Sequence, residues 1–158
     1  MTTLRDASST KALLKAINTG GIAQDALSGF GDDALMGSLE MLPSADSETR
    51  HSIYQMLTTM TETRNINRLR EPESRSLLSS ALVAGAGDKN PWTRASVATG
   101  LANVGTPETE QALTKLAEAD PFTRPENQRI RYPVREAASK ALQILKSRPV
   151  PPAGAAPQ

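Results

Sequence analysis

Apolar residues recur with the same helical spacing in three stretches of the chain. In each stretch an arginine is followed at three, seven and ten positions by apolar or small side chains. These arginines are Arg50, Arg94 and Arg135, so the copies follow one another at nearly equal intervals. A period of about 40 to 47 residues with helical spacing inside each copy is typical of stacked helix pairs. We therefore expect each of these helices to bury its apolar stripe against neighbouring units.

A second helix is predicted after each of the first two stretches. Pro72-Glu73 and Pro107-Glu108 each open a segment with a leucine six residues after the proline. A helix accepts proline in its first turn because the missing N–H would have no partner there, and glutamate favours the positive end of the helix dipole. The predicted helices span 9–18, 22–29, 32–42, 47–61, 72–84, 91–103, 107–118 and 133–147. No stretch predicts a strand.

Three single residues receive an interpretation from their positions. Gly100 lies in the middle of a predicted helix, where glycine costs about 1 kcal/mol relative to alanine, so another helix is expected to pass close to it. Trp92, the only tryptophan, follows Asn90-Pro91 at a helix start. It is expected to pack against the preceding unit, and a role as a surface anchor is the alternative. His51, the only histidine, lies off the apolar stripe and is expected to be exposed and without a catalytic partner.

Residues 100–108 (Gly-Leu-Ala-Asn-Val-Gly-Thr-Pro-Glu), 112–120 and 132–142 resemble a HEAT repeat of the short type first noted in phycobilin lyases. The resemblance is good over 88–147 and fair over 47–84. It implies an all-α fold, an α-solenoid of about three to four HEAT-like helix pairs in a single domain. It also implies that Arg50, Arg94 and Arg135 form a structural ladder, each contacting an acid or a helix-end carbonyl of the adjacent unit. Such a motif encodes packing and carries little information about chemistry.

Composition narrows the possible functions. The 158 residues include no cysteine and one histidine, so we predict no catalytic residue, no metal site and no cofactor. No segment reaches the 18 or so apolar residues of a membrane span, so we predict no membrane insertion. A cytoplasmic location is predicted, and an exported form with its signal removed stays open. Residues 1–148 are predicted to form the repeat domain and the proline-rich residues 149–158 a disordered tail.

Charge is unevenly distributed along the chain. Residues 1–60 contain 4 Lys/Arg and 7 Asp/Glu, residues 61–120 contain 7 and 8, and residues 121–158 contain 7 and 2. The three parts therefore have net charges of −3, −1 and +5 within a total of +1. The basic excess lies in the last part and consists mainly of arginine.

Two connections between predicted helices are longer than a repeat needs. The second, 121–132, combines arginines with aromatic side chains, a composition enriched at interface hot spots. Its predicted partner-binding residues are Phe122, Arg124, Arg129, Arg131 and Tyr132. The first, 61–71, contains Arg64, Arg68 and Arg70 and is the weaker candidate. Either connection could also be a polar loop with no binding role.

The resulting functional prediction is a protein-interaction module or scaffold without intrinsic catalysis, whose protein partner presents an acidic surface. Two alternatives follow from the resemblance: a nucleic-acid-binding protein of the DNA-glycosylase-like kind, and a lyase subunit that acts on a bilin chromophore. A net charge of +1 and 3% aromatic residues argue against nucleic-acid binding. Such binding needs many positive charges to neutralise phosphates and many aromatic side chains to stack on bases. Only the repeat itself supports the lyase.

Overall fold

The computed structural model describes residues 12, 14–19, 26–126 and 129–147. Residues 12, 14, 15 and 26–28 are helical. From residue 32 onward the α-helices are α1 (Asp32–Met41), α2 (Ser47–Met60), α3 (Thr63–Ile66), α4 (Ser74–Gly85), α5 (Pro91–Val104), α6 (Pro107–Ala119) and α7 (Pro133–Ser147). Short 3₁₀ turns occupy Ile17–Thr19 and Leu42–Ser44, and no strand occurs among the described residues. The all-α prediction is confirmed. The predicted tail 149–158 lies outside the described residues, as do 9–11 and 13 of the predicted helix 9–18 and 22–25 of the predicted helix 22–29.

Local sequence signals explain where the longer helices begin. The Asp46 carboxylate accepts a hydrogen bond from the Thr49 N–H at 2.8 Å, so it caps α2. Asn90 caps α5 by accepting the Trp92 N–H at 3.0 Å, and Thr106 caps α6. Such caps satisfy N–H groups that have no partner inside the helix. The predicted start of α4 is wrong, because Pro72 and Glu73 precede the helix instead of opening it.

The helices stack as two layers of pairs. α2, α5 and α7 pack side by side with α5 in the middle, whereas α4 packs against α5, and α6 packs against both α5 and α7. The residues of the repeated frame lie at these contacts: Ile53, Leu57, Val97, Leu101 and Ala138 are each 0% exposed. This arrangement confirms the predicted solenoid of helix pairs.

Among the described residues, neighbours cover the last helix, α7, on one side only. Ala98 and Ala102 of α5 are buried by its neighbours, whereas the matching positions of α7 in the repeated frame are the exposed Ser139 and Gln143. The frame leucine Leu142 is half-buried, unlike the fully buried Leu101. Polar side chains at these positions are expected on the outer face of a repeat stack.

Close packing confirms the prediction for Gly100. A Cβ atom at this position would lie 3.1 Å from Thr58 Oγ1 and 3.2 Å from the methyl carbons of Leu82. α2 and α4 therefore both approach α5 where it has no side chain. Gly85 at the end of α4 plays a similar role, since a Cβ there would lie 2.5 Å from the Tyr54 ring.

The first long connection packs back onto α1. The Asp32 carboxylate accepts hydrogen bonds from the N–H groups of Arg70 and Glu71 and from the Ser74 hydroxyl. Burial acts to raise the pKa of Asp32, but these hydrogen bonds outweigh it and hold the pKa below its usual value. Leu69 in this connection is 5% exposed. This segment therefore belongs to the structural framework, by which we mean the packed helices and the contacts that hold them together.

Candidate functional site

Two of the repeated arginines, Arg50 and Arg94, bind the carboxylates of Asp88 and Asp120. Arg50 Nε donates a hydrogen bond to Asp88 Oδ2 at 2.9 Å. Arg94 binds Asp120 with two bonds, from Nε to Oδ2 at 2.6 Å and from Nη2 to Oδ1 at 3.0 Å. The two aspartates follow α4 and α6, so each arginine holds the end of the second helix of its own pair. Parallel N–H groups of a guanidinium match the two oxygens of a carboxylate, which makes the second contact the stronger one.

The same aspartates also hold the next arginine through their backbone. Arg94 Nη1 donates to the carbonyl oxygen of Asp88 at 2.8 Å, and Arg135 Nε donates to the carbonyl oxygen of Asp120 at 2.7 Å. Arg50, Asp88, Arg94, Asp120 and Arg135 therefore form one continuous ladder through the stack. Arg94 is 9% exposed and Asp120 is 4% exposed, so the ladder belongs to the framework rather than to the surface.

Asp120 connects this ladder to the second long connection. Its Oδ1 also accepts the N–H of Phe122 at 3.0 Å, which fixes the start of the loop 121–132. Burial acts to raise the pKa of Asp120, but the hydrogen bonds from Arg94 and Phe122 and the positive charges of Arg94 and Arg135 outweigh it, so the pKa lies below its usual value. The carboxylate is thus a fixed charge at the base of the loop.

Trp92 faces this loop. Its ring meets the ring of Phe122 edge to face, with centroids 5.6 Å apart and planes at 72°. The Arg124 guanidinium lies over the Trp92 ring at 5.6 Å from the centroid. Trp92 is 46% exposed, so the prediction that it packs against the preceding unit is wrong. The residue lies two positions before Arg94, outside the buried stripe, and its packing partner Phe122 comes from the loop that follows the next helix.

A second arginine–aromatic group lies at the other end of the loop. Arg131 and Arg135 place their guanidinium carbons 5.5 and 5.0 Å from the centroid of the Tyr132 ring. The Arg124 N–H donates to the Arg131 carbonyl oxygen at 2.7 Å, so the two ends of the loop are held together. Arg131 also forms an exposed ion pair with Glu126 at 3.2 Å.

These groups form one surface, which we name the arginine–aromatic surface. It consists of Trp92, Phe122, Arg124, Arg129, Ile130, Arg131 and Tyr132. Trp92, Ile130 and Tyr132 are 46%, 39% and 36% exposed, and Arg129 and Arg131 are also exposed. Phe122 is half-buried and contacts the Trp92 ring edge to face. Trp92 and Ile130 are not among the partner-binding residues predicted from the sequence, although a lone aliphatic residue between two arginines is a usable signal for Ile130.

His51 is not the exposed residue that its position predicted. It is half-buried between α2 and α5, with Nδ1 3.1 Å from the Thr93 hydroxyl oxygen. Burial lowers the pKa of His51, and the nearby charge of Asp88 opposes this effect in part. Within the described ranges, no group of three or more possible metal ligands comes together.

A groove runs between α4 and α6 and reaches the start of the loop at Asp120 and Pro121. Two parts of it have volumes of about 680 and 1240 Å³ and share Val83 and Glu108. The α4 side of the groove carries small side chains, among them Ser76, Ser79 and Ser80. None of the described residues that line these parts is aromatic, in contrast to the arginine–aromatic surface.

The stacked pairs and the arginine ladder define an all-α repeat protein. Residues 38–131 match the family model of HEAT repeats, which covers more than half of the chain. The chain therefore belongs to the HEAT repeat family, whose members commonly mediate protein–protein interaction. The match does not specify the phycobilin-lyase type. No curated protein and no solved structure matches the chain. None of the helices in the described part of the chain is long and apolar enough to cross a membrane.

Proposed function

We propose that this chain is a protein-binding module that engages an acidic surface of a protein partner through the arginine–aromatic surface, without catalysis of its own. The observation that carries the proposal is the pairing of exposed aromatic rings with arginines at Trp92 and Tyr132. Tryptophan, tyrosine and arginine are the residues most enriched at interface hot spots. An arginine that stacks on a ring can also pair with a carboxylate through the N–H groups at its edge, as Arg131 does with Glu126.

The two ends of the loop are also held in place before any partner arrives. The Asp120 carboxylate accepts a hydrogen bond from the Phe122 N–H, and the backbone hydrogen bond between Arg124 and Arg131 holds the two ends of the loop together. Side chains that already have a fixed position lose less conformational entropy when they bind. The net charge of +5 over residues 121–158 supports an acidic partner, since opposite charges speed association and select against basic surfaces.

The test compares two variants that remove the same charge. The loop variant carries Arg124→Ser, Arg129→Ser and Arg131→Ser, and the control variant carries Arg64→Ser, Arg70→Ser and Arg75→Ser in the exposed part of 61–75. Partners captured from the source cell by the wild-type protein are purified, and their binding is titrated with each variant. We expect the loop variant to bind at least about tenfold more weakly and the control to change little, because only the first set lies at the proposed interface.

Salt and a single aromatic change sharpen this test. The difference in binding affinity between wild type and the loop variant should become smaller as the salt concentration rises, because salt screens exposed charges. Trp92→Ala should weaken binding at every salt concentration, since its contribution is largely apolar. Full affinity in both the loop variant and Trp92→Ala would disprove the proposal and direct attention to the groove between α4 and α6. Binding of a random-sequence oligonucleotide with equal dependence on these arginines would favour the nucleic-acid alternative.

A further inference from the structure

One face of α1 has the chemistry that the arginine–aromatic surface would bind. Asp33, Met36 and Glu40 are spaced three and four residues apart, so they share one side of the helix. All three are exposed, and Met36 is 46% exposed. Neither Asp33 nor Glu40 forms an ion pair within the described part of the chain. We name these three residues the α1 acidic face.

The two surfaces are complementary in both charge and apolar character. Residues 1–60 have a net charge of −3 and residues 121–158 have a net charge of +5. Two carboxylates flank a methionine on one surface, and arginines flank aromatic rings on the other. Methionine sulfur makes favourable contacts with aromatic rings, and carboxylates pair with the edges of guanidinium groups.

We propose that the acidic partner is a second copy of this chain, with the α1 acidic face of one copy bound to the arginine–aromatic surface of another. This inference rests on the proposed function, because it uses the same basic surface and names its occupant. α1 packs against α4, whereas the loop is held by Trp92 of α5 and by α7. The two surfaces therefore lie on different parts of the stack, and each copy can use both of them at once.

The contact joins two different surfaces, so it is heterologous. A heterologous contact produces either a closed ring or an open chain of subunits. Each copy that has bound through one surface still offers the other. The wild-type protein should therefore form oligomers whose average size rises with protein concentration and falls with salt.

Sedimentation velocity of the full chain with complementary variants tests this contact. The acid variant carries Asp33→Asn, Met36→Ser and Glu40→Gln, and the basic variant is the Arg124, Arg129 and Arg131 triple serine described above. We expect wild type to associate at about 50 mM salt and to dissociate at about 500 mM salt. Each variant alone should remain monomeric. An equimolar mixture should form a dimer and nothing larger, because only one productive contact remains. The control variant should associate as wild type does.

The outcomes separate this inference from the proposed function. Wild type that remains monomeric at low salt, or an acid variant that still associates, would overturn self-association. A mixture of the two variants that stays monomeric would overturn the specific pairing. In either case the proposed function still stands or falls by the binding of purified partners to the loop variant. Circular dichroism of each variant establishes that it is folded.

Discussion

The buried contact between Arg94 and Asp120 provides the sharpest prediction. Asp120→Asn keeps the shape of the side chain but replaces one carboxylate oxygen with an NH₂ group that cannot accept a bond from the guanidinium. Removing one partner of a buried ion pair costs about 3 to 5 kcal/mol, because the other charge is left without compensation. Arg94 would keep its bonds to the carbonyl oxygens of Asp88 and Lys89. We therefore expect a loss near the lower end, about 3 kcal/mol.

Asp88→Asn is the matched control. Asp88 occupies the same place in the ladder, but its carboxylate receives a single arginine bond, from Arg50, and the Arg50 and Asp88 side chains are 27% and 7% exposed. Water can replace much of that contact, so Asp88→Asn should cost clearly less than Asp120→Asn. Urea unfolding followed by circular dichroism measures both changes in the free energy of unfolding. Equal losses, or a loss below about 1 kcal/mol for Asp120→Asn, would refute the argument from burial.

The pH dependence of the same variant provides an independent check. The pKa of Asp120 is lower in the folded protein than its ordinary value, so the folded state favours the carboxylate. The resulting stability is fully present above the unfolded-state pKa of about 3.9 and is lost as pH falls through the folded-state pKa. The difference in stability between wild type and Asp120→Asn should therefore narrow below about pH 4. A constant difference in stability across this pH range would show that the charge of Asp120 does not contribute to the stability of the fold.

Three further changes test the packing of the stack. Leu101→Ala should lower the free energy of unfolding by about 2 to 5 kcal/mol and Leu142→Ala by less than half of that, because only Leu101 is covered on both sides; equal losses in urea melts would contradict this packing. Gly85→Ala should lower the free energy of unfolding by about 1 to 3 kcal/mol, because the new methyl group forces the Tyr54 ring aside. In a double-mutant cycle, Tyr54→Leu should remove most of that loss, and additive effects of the two changes would contradict the clash. The pKa of His51 is lowered by burial, so its contribution to stability is present above the unfolded-state pKa of about 6.5 and is lost as pH falls. His51→Gln should flatten the loss of stability between about pH 7 and pH 5, and an unchanged slope in thermal melts would exclude this role.

The fold could be predicted because local signals determine most of it. The apolar frame repeats with the period of a helix pair, and caps or prolines mark the helix starts at Ser47, Pro91 and Pro107. The bounds of α1, α2, α5, α6 and α7 differ from the predicted ones by at most one residue. The exceptions are α3, which lies in a segment predicted to be a connection, and the start of α4. The start of α4 is displaced because Asp32, which lies far earlier in the chain, binds the backbone of Arg70 and Glu71, a contact with no local signature.

The aspartate partners of Arg50 and Arg94 could not be predicted from the sequence, because the number of residues between arginine and aspartate differs between the two pairs. Arg50 lies 38 residues before Asp88, whereas Arg94 lies 26 residues before Asp120. The difference arises from the connection between α2 and α4, which contains the extra turn α3. A search for one fixed arginine-to-aspartate distance therefore misses a pairing that the folded chain makes twice.

The candidate surface was only partly predictable, because the repeat determines packing and not surface chemistry. The loop 121–132 was identified by its length and its arginines. Trp92 belongs to the surface only because Phe122 returns to it from beyond α6, and Phe122 is placed by a carboxylate that also holds Arg94. Asp120 is thus shared between the framework and the surface. It follows that Asp120→Asn should alter the fluorescence of Trp92 in the folded protein as well as the stability, whereas Asp88→Asn should alter that fluorescence less, because the Asp88 carboxylate contacts Asn90 and not the loop. Unchanged fluorescence in Asp120→Asn would show that the rings hold the loop without the carboxylate.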